Sequence, residues 1–437
     1  MPWGPLLASV ALLRLVQRNP TYLDPVMMAK GFSKVTQTTV KAQKKKMIKS
    51  EYAQFYEYLC NAEATFHVQV AYFNGMRGLR AAKNFQPGDE IMRIPRSIIL
   101  DDNRAAACSA VSGLWAARDH VPAFAKLALL ILYEIRRSHE SSHRPYLDML
   151  PTREDFDAEG GPLSLWTPEE MELLECPKLA CDKAIRDELF SDSGALSMQY
   201  LSSEWDRLQL VGRAPTESEM RWAVAAVTSR AYGAKEQNGA STSMLIPMVD
   251  MANHAHPSNT VKGLDDDGSV FVVLAAKSID KGEEVFLSYG SLPNIVLLPQ
   301  FGFVMRNAVN DVALVHCPEV AAAATELEHN DITLPSLIRD KSNGFISEWQ
   351  PAGSGLRDAL DVLASNDALP LLGSDYANTA PRAVYASIIK RTMAAFSGSV
   401  GDDAALLKLS DLQPRARLAI TFRSEQKSLL NREFATL

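Results

Sequence analysis

The sequence predicts an α+β fold in which a β structure is split by a long helical insertion and followed by an all-helical C-terminal region. Three observations lead there. The turn-and-strand unit Lys83-Asn84-Phe85-Gln86-Pro87-Gly88-Asp89-Glu90-Ile91 has a close parallel in Lys277-Ser278-Ile279-Asp280-Lys281-Gly282-Glu283-Glu284-Val285. Two such units so far apart suit one β structure interrupted by other sequence. Between them, over about residues 101–243, apolar side chains recur at helical spacing, and from about residue 310 that spacing returns.

At 437 residues the chain has room for two or three domains with full cores. The expected division is a basic extension over 1–50, the β region with its insertion over 51–305, and a helical domain over 306–437. The extension carries nine Lys/Arg against one acid, Asp24, which leaves 36 basic and 51 acidic residues from Glu51 onward. An acid-poor, basic and partly amphipathic start suits an organellar transit peptide, with a flexible arm or a packed helix as the plain alternatives. The expected location is therefore cytoplasmic, or plastid or mitochondrial if residues 1–50 are a targeting segment. The acidic remainder gives a nucleic-acid role little support and fits a basic peptide partner better. No run reaches the ~18 apolar residues of a membrane span. The five cysteines, Cys60, Cys108, Cys176, Cys181 and Cys317, form no zinc-type pattern, so no metal is expected.

In chain order, Tyr52, Phe55, Tyr56 and Leu59 mark a short helix, and Phe66–Tyr72 a strand. Asn74-Gly75-Met76-Arg77-Gly78-Leu79 follows, where two glycines serve either a hairpin turn or a close backbone approach. In the insertion, Phe124, Leu127, Ala128, Ile131 and Ile135 lie on one helical face, and Thr167-Pro168-Glu169-Glu170 is a capping box. Thr216-Glu217-Ser218-Glu219 opens another helix, which ends near Arg230-Ala231-Tyr232. Arg230 is unneeded by an apolar helix end; its plain reading is a surface arginine.

The chemistry concentrates in residues 245–290. Asp250, Asn253 and His254 close an otherwise apolar run, and a short strand at Val285, Phe286 and Leu287 delivers Tyr289 into a glycine turn. An unpaired buried polar group costs roughly 1–3 kcal/mol, so such a run is either an internal hydrogen-bond knot or a ligand pocket. The chain has no G-x-S-x-G elbow, H-E-x-x-H, phosphate loop or strand-anchored G-x-G-x-x-G. Hydrolase, zinc protease and kinase chemistry therefore lack a foundation.

An ordered set of segments resembles SET-domain protein methyltransferases, in the group that includes the plant Rubisco large-subunit lysine methyltransferase and the actin-histidine methyltransferase. The segments are Gly78-Leu79-Arg80-Ala81, Ile94-Pro95-Arg96-Ser97, Pro145–Pro151 with Trp166, Trp222–Arg230, Asp250–His254, Ser288-Tyr289-Gly290 and the tail at 417–430. The resemblance implies a β fold wrapped into a pseudoknot and a C-terminal domain of the Rubisco-methyltransferase substrate-binding kind. It implies S-adenosylmethionine as cofactor, held by Gly75, Met76, Arg77, Gly78, Leu79, Arg230, Asn253, His254 and Phe301. Tyr289 would be catalytic, orienting the acceptor amine, and Tyr232, Tyr289 and Phe303 would line the substrate channel. Asp250 would brace the loop. One departure stands: many relatives read Glu-Gly-x-Gly-Leu where this chain has Gly75-Met76-Arg77-Gly78-Leu79, so an acid is missing. An Asn two residues after the arginine accompanies histidine methylation, whereas Tyr232 at that position resembles the lysine-methylating members. The expected protein is thus a lysine methyltransferase of a non-histone protein, acting as a monomer on a peptide segment. A histidine methyltransferase and a non-catalytic peptide-binding module are the alternatives.

Overall fold

The computed structural model describes residues 51–118, 121–235, 241–308, 310–316, 349–351 and 381–436. The basic segment 1–50 and Cys317 lie outside the described residues. The described residues divide into two compact units: 51–153 with Glu188–Ser291, and Glu154–Asp187 with those from Leu292 onward. Among the described residues no helix is long and apolar enough to cross a membrane.

The first unit is the β region with most of its insertion. Helix α1 (Ala53–Asn61) buries Phe55, Tyr56, Leu59 and Cys60. Strands β1 (Thr65–Phe66), β2 (Val68–Phe73), β3 (Met76–Ala81), β4 (Glu90–Pro95) and β5 (Leu100–Asp101) precede the insertion. Within it, α2 (Ala123–Arg136) is buried almost all round, including Glu134, which is held by Arg137 and Ser141. It packs on α3 (Glu217–Arg230), whose capping box pairs Thr216 with Glu219. Strands β6 (Tyr232–Lys235), β7 (Ser241–Leu245), β8 (Thr260–Leu264), β9 (Val270–Ala275) and β10 (Glu284–Val285) follow.

These strands make three small sheets, ordered β1-β4-β9-β8, β10-β3-β2 and β5-β7-β6. The two similar turn units meet directly. Phe85 and Ile279 form an antiparallel bridge with reciprocal N–H donation, and the Asn84 side chain accepts from the Lys281 amide. The expected single β structure split by an insertion is therefore present. Its edges differ in detail. The insertion, read as mainly helical, ends in strands: β6 and β7 pair from Tyr232↔Met244 to Lys235↔Ser241. Their sequences, Tyr-Gly-Ala-Lys and Ser-Thr-Ser-Met-Leu, lack the apolar alternation that marks a strand. The strand expected at Val285–Leu287 is regular only at Glu284–Val285, beyond which Leu287 makes one parallel bridge to His254.

The second unit is helical. Leu163, Trp166, Leu174, Leu179, Leu298, Ala419 and Phe422 lie within its core. The Trp166 indole donates to the carbonyls of Gly160 and Gly161, and the second expected capping box joins Thr167 to Glu170. In the long helix Pro414–Ala435, Arg423 and Lys427 both donate to the fully buried carboxylate of Asp403.

Candidate active site

The site is built where residues 253–260 run beside residues 284–289. The Leu287 amide donates to Asn253 O (2.9 Å), and the Ala255 amide donates back to Leu287 O (3.0 Å). The Asn259 side chain extends this pairing, donating to Glu284 O and accepting from the Phe286 amide, each at 2.8 Å. Thr260 Oγ1 donates to Phe286 O at 2.7 Å. Side-chain amides and hydroxyls thus replace regular sheet pairing, which satisfies buried backbone groups where the two segments cross.

Three polar residues converge at this crossing. Asn253 Nδ2 donates to Arg77 O (3.1 Å) and to Glu284 Oε1 (2.8 Å), tying the loop to β3 and to β10. His254 Nδ1 accepts the Tyr289 amide at 3.0 Å, so the neutral ring carries its proton on Nε2. Burial pushes this imidazole down to about 4. The two rings lie 5.1 Å apart. Tyr289 donates its hydroxyl to Ala252 O at 2.9 Å, and burial pushes the phenol up to about 12.

Behind them sits a second layer. Met248 turns the chain with φ 72°, placing Asp250 in a short 3₁₀ turn, Val249–Met251. Tyr146, fully buried, donates to Asp250 Oδ2 at 2.9 Å, while Oδ1 is buried without a hydrogen-bond partner. Burial raises the Asp250 carboxyl above its usual range, against the opposing pull of Arg230. Arg230, at the last turn of α3, donates from Nη1 to Asp250 O at 2.7 Å; its Nε is buried without a partner. The next residue but one, Tyr232, opens β6 and packs edge-on against Phe271, 4.9 Å between ring centres.

The glycine turn separates into two parts. Asn74 and Gly75, with φ of 51° and 86°, form the tight turn of the β2–β3 hairpin, and Met76 beside them is 52% exposed. Gly78 is inside, where a Cβ would fall 2.5 Å from Glu284 Oε1 and 2.8 Å from Asn253 Nδ2. Arg77 reaches away to Met149 O, and Leu79 is fully buried. Phe301 and Phe303 belong to the second unit, with ring centres 6.1 Å apart.

Two residues at the site were not singled out from the sequence. Glu284 brings a carboxylate to the Gly78 turn, where the familiar acid is missing, and burial raises its carboxyl above the usual range. Lys262, on β8, is 7% exposed and donates to Ser288 O. Strand alternation puts Lys262 on the same side as buried Thr260.

A β fold threaded so that an Asn-His pair meets a Ser-Tyr-Gly segment is the arrangement that the resemblance to SET domains implies. Residues 76–290 match the SET-domain family model. It is 24% identical over 290 residues to the N-lysine methyltransferase setd6 of Danio rerio, covering 60% of this chain and 58% of that one. It is 26% identical over 263 residues to the actin-histidine N-methyltransferase of Drosophila melanogaster, covering 56% and 47%. The chain thus spans about half the length of these relatives. The solved SET domain of LSMT bound to lysine and AdoHcy shares the fold, with TM-score 0.65 at 18% identity over 89% of this chain and 91% of that one. Rubisco LSMT bound to AdoMet is similar at TM-score 0.63 and 17% identity, with the same coverage.

Proposed function

We propose that the protein is an S-adenosylmethionine-dependent protein methyltransferase acting on a lysine side chain of a non-histone protein. The observation that carries the proposal is the convergence of Asn253, His254 and Tyr289 at one crossing, beside an arginine with an unused buried donor. The likeness to proteins named as lysine and histidine methyltransferases supports it.

The residues fit the cofactor. The partnerless Nε of Arg230 suits a carboxylate, as a charge-assisted contact. The Asn253 side-chain carbonyl and the Glu284 carboxylate offer acceptor atoms to an amino group, and the absent side chain at Gly78 leaves the room those two groups fill. When bound, S-adenosylmethionine supplies an electrophilic methyl group on a sulfonium. The protein's part is positioning, because in-line displacement needs no covalent enzyme intermediate. A lysine amine attacks only when neutral, and its ordinary pKa is about 10.4. An apolar channel lowers that value by desolvation. Tyr289 keeps its own proton at neutral pH, with the phenol at about 12 and the hydroxyl committed to Ala252 O. Its oxygen therefore meets an amine as a hydrogen-bond acceptor, which orients the nitrogen lone pair without removing its proton.

Tyr289→Phe should lower kcat by about 10²-fold, the usual range for one positioned hydrogen bond, and leave S-adenosylmethionine affinity within about threefold. Equal turnover in the two proteins would refute the orienting role. Calorimetry with S-adenosylmethionine separates an enzyme from a non-catalytic module, which would bind none. Methyl-labelling a lysate with the purified protein, followed by mass spectrometry, identifies the acceptor residue.

A further inference from the structure

Buried lysines ordinarily pair with carboxylates. In the second unit Lys427 does so, at 2.9 Å from Asp403. Lys262 is equally buried but makes no salt bridge among the described residues. Its ammonium donates to the Ser288 carbonyl and sits 5.0 Å from the ring centre of Tyr232 and 5.9 Å from that of Tyr289. Both tyrosines belong to the aromatic set expected to line the channel. The chain has placed a cation of its own where an aromatic pair would attract one from a substrate.

We propose that Lys262 determines which acceptors the site takes, by requiring the acceptor nitrogen to enter the Tyr232–Tyr289 pair uncharged. This rests on the methyltransferase reading above. The charged groups around the pair leave little else to set that field. Tyr232 and Tyr289 are both pushed up by burial and stay neutral, and His254 is pushed down to about 4, partly by Lys262 itself. Arg230 and Asp250 act on Tyr289 with opposite signs. Lys262 is lowered by burial to about 8, so it is still mostly protonated at pH 7.

A second cation beside it is disfavoured. A lysine acceptor consequently binds poorly as ammonium, yet once bound holds a lowered pKa and a larger neutral fraction. An imidazole acceptor is already largely neutral at pH 7 and meets no such barrier. Lysine and histidine acceptors should therefore respond differently to the loss of this one charge.

The test uses wild type, Lys262→Met and Lys262→Arg on two peptides that differ only in a Lys or His acceptor. With the Lys peptide at pH 7, K262M should lower KM and also lower kcat about tenfold. The rising limb of its kcat–pH profile should move up by about one unit, which is that same tenfold in neutral fraction. The His peptide's limb should stay in place, and K262R, which keeps the charge, should keep the Lys limb near wild type. Parallel changes with both peptides, or an unmoved Lys limb, would overturn the proposal. So would a methyl group found on Lys262 itself, which would make it an acceptor. One readout needs neither turnover nor a folded methionine variant: Cε shifts of the ¹³C-lysine-labelled wild type. One lysine, absent from K262R, should titrate near pH 8. A titration below 7, which would leave Lys262 uncharged at the assay pH, in an active enzyme overturns this inference alone. A titration near 8 in a protein that methylates neither peptide overturns the methyltransferase reading instead.

Discussion

Gly78 shows how closely the site is assembled. The space a side chain would take is filled by Glu284 and Asn253, and its backbone needs no left-handed conformation, so the constraint is room alone. Gly78→Ala must displace one or both polar groups. The expected result is a loss of S-adenosylmethionine affinity of at least about tenfold with unchanged far-UV circular dichroism, since overpacking usually costs about 1–3 kcal/mol. Retained affinity would show that the Asn253–Glu284 contact is dispensable. The candidate residues visible in the sequence were polar ones embedded in apolar runs: Asn253, His254 and Tyr289 advertise themselves by costing energy unless partnered. Lys262 and Glu284 did not. A lysine in an alternating strand and a glutamate in a turn-rich acidic stretch read as solvent-facing, and only the tertiary packing of β8 and β10 buries one and turns the other inward.

At the level of elements, α3 positions two site residues at once, with Arg230 in its last turn and Tyr232 opening the strand behind it. Its start is pinned by the Thr216–Glu219 box, and Glu219 also receives Arg136 from α2 and Arg213 from the preceding loop. Thr216→Ala should lower stability by about 1 kcal/mol, read as a shift in the urea midpoint. Activity at temperatures well below the transition should persist, because the helix end is held separately by Arg230 on Asp250 O. Both capping boxes were legible in the sequence because their chemistry is local. The strands β6 and β7 were not, because what makes them strands is pairing with each other and with β5 across the whole insertion. The hairpin at Asn74-Gly75 was legible as one of two options, and the structure assigns the turn to Gly75 and the close approach to Gly78.

Over the whole molecule, histidines lowered by burial tie stability to pH; among the described residues His254 and His143 are displaced furthest, with His67 shifted in the same direction. His254 has been described; His143 accepts from Arg104 Nη1 at 2.8 Å on Nε2, which leaves its Nδ1 proton for Tyr58 Oη at 3.0 Å. Burial pushes His143 to about 4 as well. Both lie below the ordinary imidazole value, so the unfolded chain binds more protons between about pH 4 and 6.5. Their contribution is complete above 6.5 and is lost as pH falls through that window. Unfolding free energy should drop by about 2 kcal/mol from pH 7 to pH 4.5 on this account, already reduced for the partial exposure of both rings. His143→Gln and His254→Gln should each flatten the profile. The meeting of Phe85 with Ile279 reaches further still, into synthesis. Pro95 pairs with Val270 and Leu79 with Val285, so β3 and β4 lack these partners until the last strands leave the ribosome. At about 5–20 residues per second that is a wait of roughly 10–40 s, during which apolar strand edges stand open. The nascent first half of the β region is the stretch of this chain that a chaperone has most reason to hold.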